Sequence, residues 1–202
     1  MFPPVCLLLV FLASPPAMAQ KNNPIDKVEN VKNFDISEFT GKWYLLSVAT
    51  DCNYLKTNNH KVEATYLQVS LPKTKAGVKV PQSMLVSTFR VLDGICWEIK
   101  HSYAINKIKG RFLLKAKPYH GMVDIVVAET DYENYAIIYF QKKGKITLKL
   151  YGRKAKVSDD IYRKFDNHVI KQGIDLEFIY SFPKYGFCEE ASKFNILDEI
   201  PR

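Results

Sequence analysis

Apolar and polar residues alternate along most of the chain from residue 41 onward, in short runs separated by turn residues. A period of two indicates strands, and this succession of runs is typical of an all-β barrel or sandwich. We predict eight strands, at Trp43–Asp51, Val62–Ser70, Ser83–Leu92, Ile95–Tyr103, Gly110–Lys117, Met122–Thr130, Asn134–Gln141 and Lys145–Arg153.

The connections between these runs favour consecutive antiparallel hairpins. Asp93-Gly94 and Lys143-Gly144 suit tight turns with positive φ, and Asp131 to Glu133 forms another short turn. A long connection, which we read as polar throughout, runs from Cys52 to Lys61 between the first two strands. The pattern predicts an antiparallel up-and-down barrel.

The segments that flank the strands have a different spacing of apolar residues. Residues 34–39 suggest a short helical turn that closes one end of the barrel and stops at Gly41. After the strands, Ser158 can cap one amphipathic α-helix that ends at Gly173. Its predicted apolar face consists of Ile161, Tyr162, Phe165 and Val169. The tail from Phe178 onward supplies a candidate ninth strand.

Residues 1–19 have the composition of a secretory signal peptide. They contain no charged side chain, and Ala17-Met18-Ala19 provides the small residues that signal peptidase requires. The apolar run is shorter than the roughly 20 residues of a membrane span. We therefore expect one secreted, extracellular domain, residues 20–202, with no direct insertion into membranes.

Composition and charge exclude several classes of protein. A hydrophobic fraction of 47% is too high for a disordered chain. The net charge of +8 is spread over many lysines rather than gathered in a block, so most of it is expected on solvated faces. A secreted chain without a nucleic-acid-binding motif is not expected to bind nucleic acid.

The cysteines point to an oxidising compartment. Cys6 leaves with the signal peptide, so Cys52, Cys96 and Cys188 remain. Because three is an odd number, one intrachain bridge leaves one sulfur for an interchain bond or a reactive thiol.

Strand alternation also predicts which side chains face the interior. On the fourth predicted strand Ile95, Trp97, Ile99, His101 and Tyr103 share one face, opposite to Cys96. On the first strand, one face carries Trp43, Leu45, Ser47 and Ala49. The predicted ligand pocket, which could also be simple core filling, consists of Trp43, Leu45, Ser47, Trp97, Ile99, Tyr103 and Tyr151.

No arrangement of residues indicates catalysis. The chain lacks Gly-x-Ser-x-Gly, and its four histidines are too scattered for a metal motif. We expect a protein that is not an enzyme, with no catalytic residue, no cofactor and no metal.

Three short segments, in order, resemble the signature regions of the lipocalin family. Gly41 and Trp43 open the first strand, Thr130-Asp131-Tyr132 lies between strands six and seven, and Arg153 ends strand eight. Trp43 would plug one end of the barrel beneath the Arg153 guanidinium, a cation–π contact of roughly 0.5–2 kcal/mol. The resemblance implies an eight-stranded calyx with one C-terminal helix.

Further segments resemble one branch of that family, the lipocalins that are subunits of a complement component. The likeness runs from about Asn33 to Arg202, although the stretch from Pro72 to Pro81 is longer than expected. It is carried by Leu92–Trp97, Lys109–Leu114, Val127–Tyr132, Lys149–Arg153, Phe182–Cys188 and Phe194–Asp198.

This resemblance assigns roles to the cysteines and to the calyx. It implies an intrachain disulfide between Cys96 and Cys188, and an interchain disulfide from Cys52 to an alpha subunit. Through that subunit the chain would join the beta subunit and the membrane attack complex. The calyx mouth would receive a segment of the alpha subunit, and the interior would hold a small hydrophobic ligand such as retinol.

Two other lipocalin functions stay open at this stage. A free-standing plasma lipocalin of the alpha-one-microglobulin type would bind haem or other small hydrophobic molecules and use Cys52 as a reactive thiol. An isomerase of the prostaglandin-synthase branch would need an inward cysteine on the second strand. Val62–Ser70 contains none.

Overall fold

The structure, a computed structural model, describes residues 23–73, 81–115 and 121–200. The predicted signal peptide, residues 1–19, lies outside the described residues. The strands are β1 Gly41–Ala49, β2 Thr65–Ser70, β3 Ser83–Leu92, β4 Ile95–Ile105, β5 Arg111–Lys115, β6 Met122–Thr130, β7 Tyr135–Lys142, β8 Lys145–Gly152, β9 Ile179–Ser181 and β10 Ile196–Asp198. The helices are α1 Asn53–Asn58 and α2 Asp159–Lys171, with 3-10 turns at Pro24–Lys27, Asn59–Lys61, Leu176–Phe178 and Lys193–Asn195.

Strands β1 to β8 form the predicted closed antiparallel barrel. Each pairs with its chain neighbour, including β4 with β5, and β1 pairs with β8, which closes the barrel. Strand β4 also pairs with β10. Both residues of the β3–β4 turn have positive φ, 51° at Asp93 and 74° at Gly94, and the β7–β8 turn at Lys143 and Gly144 is built in the same way. These conformations match the twist of the adjoining strands and fix the hairpin register.

Two short strands from the C-terminal tail extend the sheet. The ninth strand expected near Phe178 is β9, which pairs antiparallel with β1. Strand β10 was not expected and runs parallel to β4, with Leu197 opposite Ile99. The C-terminal tail is thus hydrogen-bonded to two separate strands of the barrel, β1 and β4.

Helix α2 packs against the outside of the barrel, as predicted. Ser158 occupies the N-cap position, although its side chain makes no capping hydrogen bond; its carbonyl oxygen accepts from the Ile161 N–H at 3.0 Å. Phe165 and Val169 are fully buried. The helix ends before Gly173, whose φ is 74°.

One local expectation was refined and another was wrong. Residues 36–39 form a single hydrogen-bonded turn at the closed end of the barrel, with the Thr40 N–H donating to the Ser37 carbonyl oxygen at 3.2 Å, and no regular helix. The connection from Cys52 to Lys61 contains α1, whose first turn is closed by Leu55 and Lys56 N–H groups on the Cys52 carbonyl oxygen. Leu55 packs against the core, so this connection is not polar throughout.

The two faces of the strands belong to separate apolar clusters. One fills the barrel and includes Trp43, Leu45 and Tyr151; the other lies outside and includes Leu148 and Leu150 under α2. Burial on both faces explains why β7 is almost continuously apolar from Tyr135 to Phe140.

The cysteines that the lipocalin resemblance pairs are bonded in the structure. Cys96 on the outer face of β4 is joined to Cys188, with the Cα atoms 5.5 Å apart and 92 positions between them in sequence. In the chain-entropy model a loop of this length contributes on the order of 4–5 kcal/mol to stability. The bond holds the tail against the barrel.

Candidate functional site

One end of the barrel is closed by a stack of Arg153 on Trp43. Trp43 is fully buried, and the guanidinium carbon of Arg153 lies 3.7 Å from its ring centroid. The guanidinium also donates to four carbonyl oxygens, those of Tyr132 at 2.8 Å, Thr40 at 2.7 Å, Glu38 at 2.9 Å and Lys42 at 3.1 Å. Arg153 therefore joins the strand ends to the N-terminal segment.

The residues around this stack explain why glycine occupies position 41. Gly41 has φ +99°, and a Cβ at this position would lie 3.0 Å from Nη1 of Arg153. On the other side of the indole, Phe39 stacks at 4.9 Å between ring centroids, and its carbonyl oxygen accepts from Trp43 Nε1 at 2.9 Å. The Trp43 indole is thus packed on both faces, by Arg153 on one and by Phe39 on the other.

The β6–β7 turn brings the remaining signature residues to the same end. The Asp131 carboxylate accepts hydrogen bonds from the backbone N–H groups of Asn134 and Tyr135, at 2.8 and 3.0 Å. Thr130 Oγ1 accepts from the Tyr132 N–H at 3.0 Å. These bonds hold Tyr132 at φ 64°, with its carbonyl oxygen directed at Arg153.

The opposite half of the interior is open to solvent. On β7 and β8 the inward side chains Phe140 and Lys149 stay half-buried, whereas the outward Tyr139, Leu148 and Leu150 are buried beneath α2. In a filled barrel the inward side chains would be more buried than the outward ones, and here the order is reversed. The open half of the barrel is therefore a solvent-accessible cup, and α2 covers the outer face of its wall at β7 and β8.

Most of the predicted pocket residues line this interior. Leu45, Tyr103 and Tyr151 are buried at its closed half, while Trp97 and Ile99 are half-buried on the inward face of β4. Trp43 belongs to the plug beneath them.

Ser47 is the exception. A register shift between Leu45 and Ser47 in the pairing of β1 with β8 sets Ser47 opposite Leu150, which belongs to the outer cluster. Val48 takes the inward position instead. A β-bulge reverses the alternation after it, so simple parity assigned Ser47 and Ala49 to the wrong face.

Two basic residues of the cup were missed. Arg90 has the same parity as Val86 on β3, and Lys149 the same parity as Tyr151 on β8, so both face the interior. The same alternation that located Trp97 could have found them.

Electrostatics inside the cup are dominated by these cations. Burial, together with the nearby charge of Arg90, lowers the pKa of Lys149 to about 8. Burial also lowers the pKa of His101; the carboxylate of Glu199 opposes this shift and Lys149 adds to it. The Lys149 Nζ lies 4.5 Å from the ring centroid of Phe140.

Cys52 lies at the rim of the cup, where β1 ends. It is exposed and is the one free cysteine among the described residues. Large apolar side chains are exposed at the same end of the barrel, with exposed fractions of 63% at Tyr54, 49% at Ile95 and 64% at Met122. An accessible thiol beside an apolar rim is suited to a protein partner.

Within residues 23–73, 81–115 and 121–200, no group of three His, Cys, Asp or Glu side chains is placed to bind a metal ion. Over the same ranges, no helix has the length and apolar character needed to span a bilayer.

Comparison with known proteins gives a family and several relatives. A family model described as "Lipocalin / cytosolic fatty-acid binding protein family" matches residues 40–185. The chain is 40% identical over 178 residues to complement component C8 gamma chain of Oryctolagus cuniculus, covering 88% of this chain and 84% of that one. The resemblance to a complement subunit is confirmed as sequence similarity over most of both chains.

More distant matches share the fold. Protein AMBP of Mus musculus is 28% identical over 190 residues, covering 90% of this chain, which spans about half (53%) of the AMBP length. A solved structure described as "The Siderocalin Ex-FABP functions through dual ligand specificities" superposes with a TM-score of 0.61 at 19% identity. The match covers 74% of this chain and 96% of that one and concerns the fold alone.

Arg153→Met should destabilise the protein by about 3 kcal/mol, because it removes a cation–π contact and several charge-assisted hydrogen bonds to backbone carbonyl groups. Arg163→Met on the exposed surface of α2 is the matched control, with an expected change below about 0.5 kcal/mol. The measurement is the urea midpoint at unchanged m-value. Equal midpoints for the two variants would show that the plug contributes little.

Wild-type stability should rise between pH 8 and pH 10 relative to Lys149→Met. The folded state releases the Lys149 proton near pH 8, whereas the unfolded state retains it up to about pH 10.5, so the unfolded state binds more protons in this window. The expected gain is about 1–2 kcal/mol. It is measured by urea unfolding at each pH, and parallel pH profiles for the two proteins would contradict the buried position of this amine.

Proposed function

We propose that this chain, which belongs to the lipocalin / cytosolic fatty-acid binding protein family, is a secreted, non-catalytic subunit of a complement component. The similarity to complement component C8 gamma chain over most of both chains supports the proposal. Its activity is assembly: the barrel docks on an alpha subunit and, together with the beta subunit, joins the membrane attack complex.

The observation that carries this proposal is the position of Cys52. The intrachain disulfide uses Cys96 and Cys188, so the Cys52 thiol is left exposed at the rim. In an oxidising compartment an exposed thiol beside an apolar surface is suited to a disulfide with a partner chain. We assign Cys52 to the bond with the alpha subunit.

The rim and the cup supply a noncovalent docking surface around that bond. Tyr54 on α1 and Met122 at the start of β6 lie at the open end, and both are mostly exposed. A partner segment that covered them would bury apolar surface at about 25 cal/mol per Å². We propose that a segment of the alpha subunit enters the mouth there.

The interior below the mouth also suits a small hydrophobic molecule such as retinol. Trp97 and Ile99 remain half-buried there, above the buried Tyr103 and Tyr151. A ligand would cover the exposed parts of these side chains. The protein would hold such a ligand without changing it chemically.

A free-standing carrier with a reactive thiol is the second candidate, and the similarity to protein AMBP favours it. That similarity is weaker, 28% against 40% identity. The two candidates differ in the state of Cys52, which is bonded to a partner in one and free in the other.

Co-secretion with the alpha subunit should produce a covalent complex that reductant separates into its chains. Cys52→Ser should run as a single chain with or without reductant, while Asp51→Asn beside it should behave as wild type. The measurement is a non-reducing gel of secreted material. A wild-type chain that runs alone without reductant would contradict the covalent link and favour the carrier.

In the Cys52→Ser background, noncovalent binding of the alpha subunit should persist and depend on the rim. Tyr54→Ser should weaken it about tenfold, since exposed aromatic anchors commonly contribute 1–2 kcal/mol at interfaces. Tyr185→Ser, at an even more exposed tyrosine on the C-terminal tail, serves as the control. Surface plasmon resonance measures both, and equal losses would place the docking surface away from the mouth.

A further inference from the structure

The β7–β8 hairpin places three lysines together at the mouth of the barrel. Lys142 ends β7, Lys145 begins β8, and Lys143 lies in the turn between them with φ 51°. All three residues are exposed. Lys142 and Lys145 are direct partners across the two strands, an arrangement that is destabilising for like charges.

No carboxylate in the described ranges neutralises these amines. None of the ion pairs within 4.0 Å there involves Lys142, Lys143 or Lys145. Asp124, the acidic residue on the neighbouring strand β6, is the cross-strand partner of Gln141 instead. The hairpin is therefore a concentration of positive charge that the described part of the barrel leaves uncompensated.

The hairpin lies beside Cys52 at the rim. Strands β8 and β1 pair up to the mouth, where the Oγ1 atoms of Thr147 and Thr50 lie 3.1 Å apart. Cys52 follows Thr50 by two positions, and Lys145 precedes Thr147 by two. The Cys52 N–H donates to Thr50 Oγ1 at 3.3 Å. The register of the two strands therefore brings Lys145 to the level of the exposed Cys52 thiol.

An exposed apolar side chain adjoins the lysines. Met122 begins β6 next to Val123, the cross-strand partner of Lys142, and it is 64% exposed. Positive charge beside apolar surface suits a peptide segment that carries both carboxylates and apolar side chains. A purely apolar segment at this place would cover the lysines without supplying a counter-charge, which costs free energy.

We propose that the partner segment that bonds to Cys52 is acidic, and that its carboxylates pair with Lys142, Lys143 and Lys145 at the mouth. The inference rests on the proposed function, because it specifies the chemistry of the partner surface that meets the rim. Opposite charges across an interface chiefly raise the association rate and select the partner. The lysines thus orient the segment before the disulfide at Cys52 holds it.

Association of the alpha subunit with the Cys52→Ser protein isolates this noncovalent step. We expect the association rate to fall about tenfold between roughly 50 and 300 mM NaCl, because salt screens exposed charges. The dissociation rate should change far less, and surface plasmon resonance measures both. An association rate that is independent of salt would overturn the inference, and this measurement needs no change in the hairpin.

Reversal of two hairpin charges tests which lysines are responsible. Lys142→Glu with Lys145→Glu, in the Cys52→Ser background, should slow association about tenfold at low salt and reduce its salt dependence. Lys154→Glu with Lys156→Glu makes the same change of charge at exposed positions beyond the plugged end and should keep the rate within about twofold. Equal losses in the two variants, with matching circular dichroism spectra, would show that net charge rather than the hairpin governs association, and would overturn the inference.

The gel and the salt series separate the inference from the proposed function. A covalent complex on the gel combined with salt-independent association would overturn the acidic segment alone. A wild-type chain that runs alone, together with a Cys52→Ser protein that does not bind the alpha subunit, would overturn both.

Vesicles of equal parts phosphatidylserine and phosphatidylcholine test the other anionic surface that the lysines could meet. We expect wild type and the Lys142→Glu, Lys145→Glu variant to behave alike in flotation with these vesicles. Vesicle binding that is lost in this variant, while its association with the alpha subunit is unchanged, would assign the lysines to a lipid surface and overturn the inference.

Discussion

The stack of Arg153 on Trp43 is the contact on which the rest of the molecule depends. A closed sheet of eight strands has two open ends, and a binding cup requires that one of them be sealed. The guanidinium does this by covering the indole and by bonding carbonyl groups of two separate segments, residues 38–42 and the β6–β7 turn at Tyr132. One side chain at the end of β8 therefore joins the start of β1 to the β6–β7 turn.

Because the plug closes one end of the barrel, only the opposite end, the mouth, is open to a partner or a ligand. Connections at the plugged end are tied into the stack, whereas those at the mouth carry exposed apolar side chains, with Tyr54 and Met122 the most exposed of them. Cys52 is at this end because β1 starts at the plug and finishes at the rim. The length and direction of a single strand therefore place the free thiol next to the mouth.

The sequence was sufficient for the elements that depend on local chemistry. Strand ends at Asp93-Gly94 and Lys143-Gly144 follow from positive φ, and α2 follows from its apolar spacing. Features that depend on pairing between distant strands could not be predicted from the sequence. The bulge that turns Ser47 outward is a property of the pairing between β1 and β8, and β10 needs a partner about 100 positions away.

The alternation of residues along β8 places both the charge of Lys149 inside the cup and the apolar surface that α2 covers outside it. Leu148 and Leu150 flank Lys149 on β8, and the period of two sends them to one face and the lysine to the other. Helix α2 covers the face with the leucines, because burying them stabilises the fold by a few kcal/mol. Lys149 is then committed to the interior, where burial and the nearby charge of Arg90 lower its pKa to about 8.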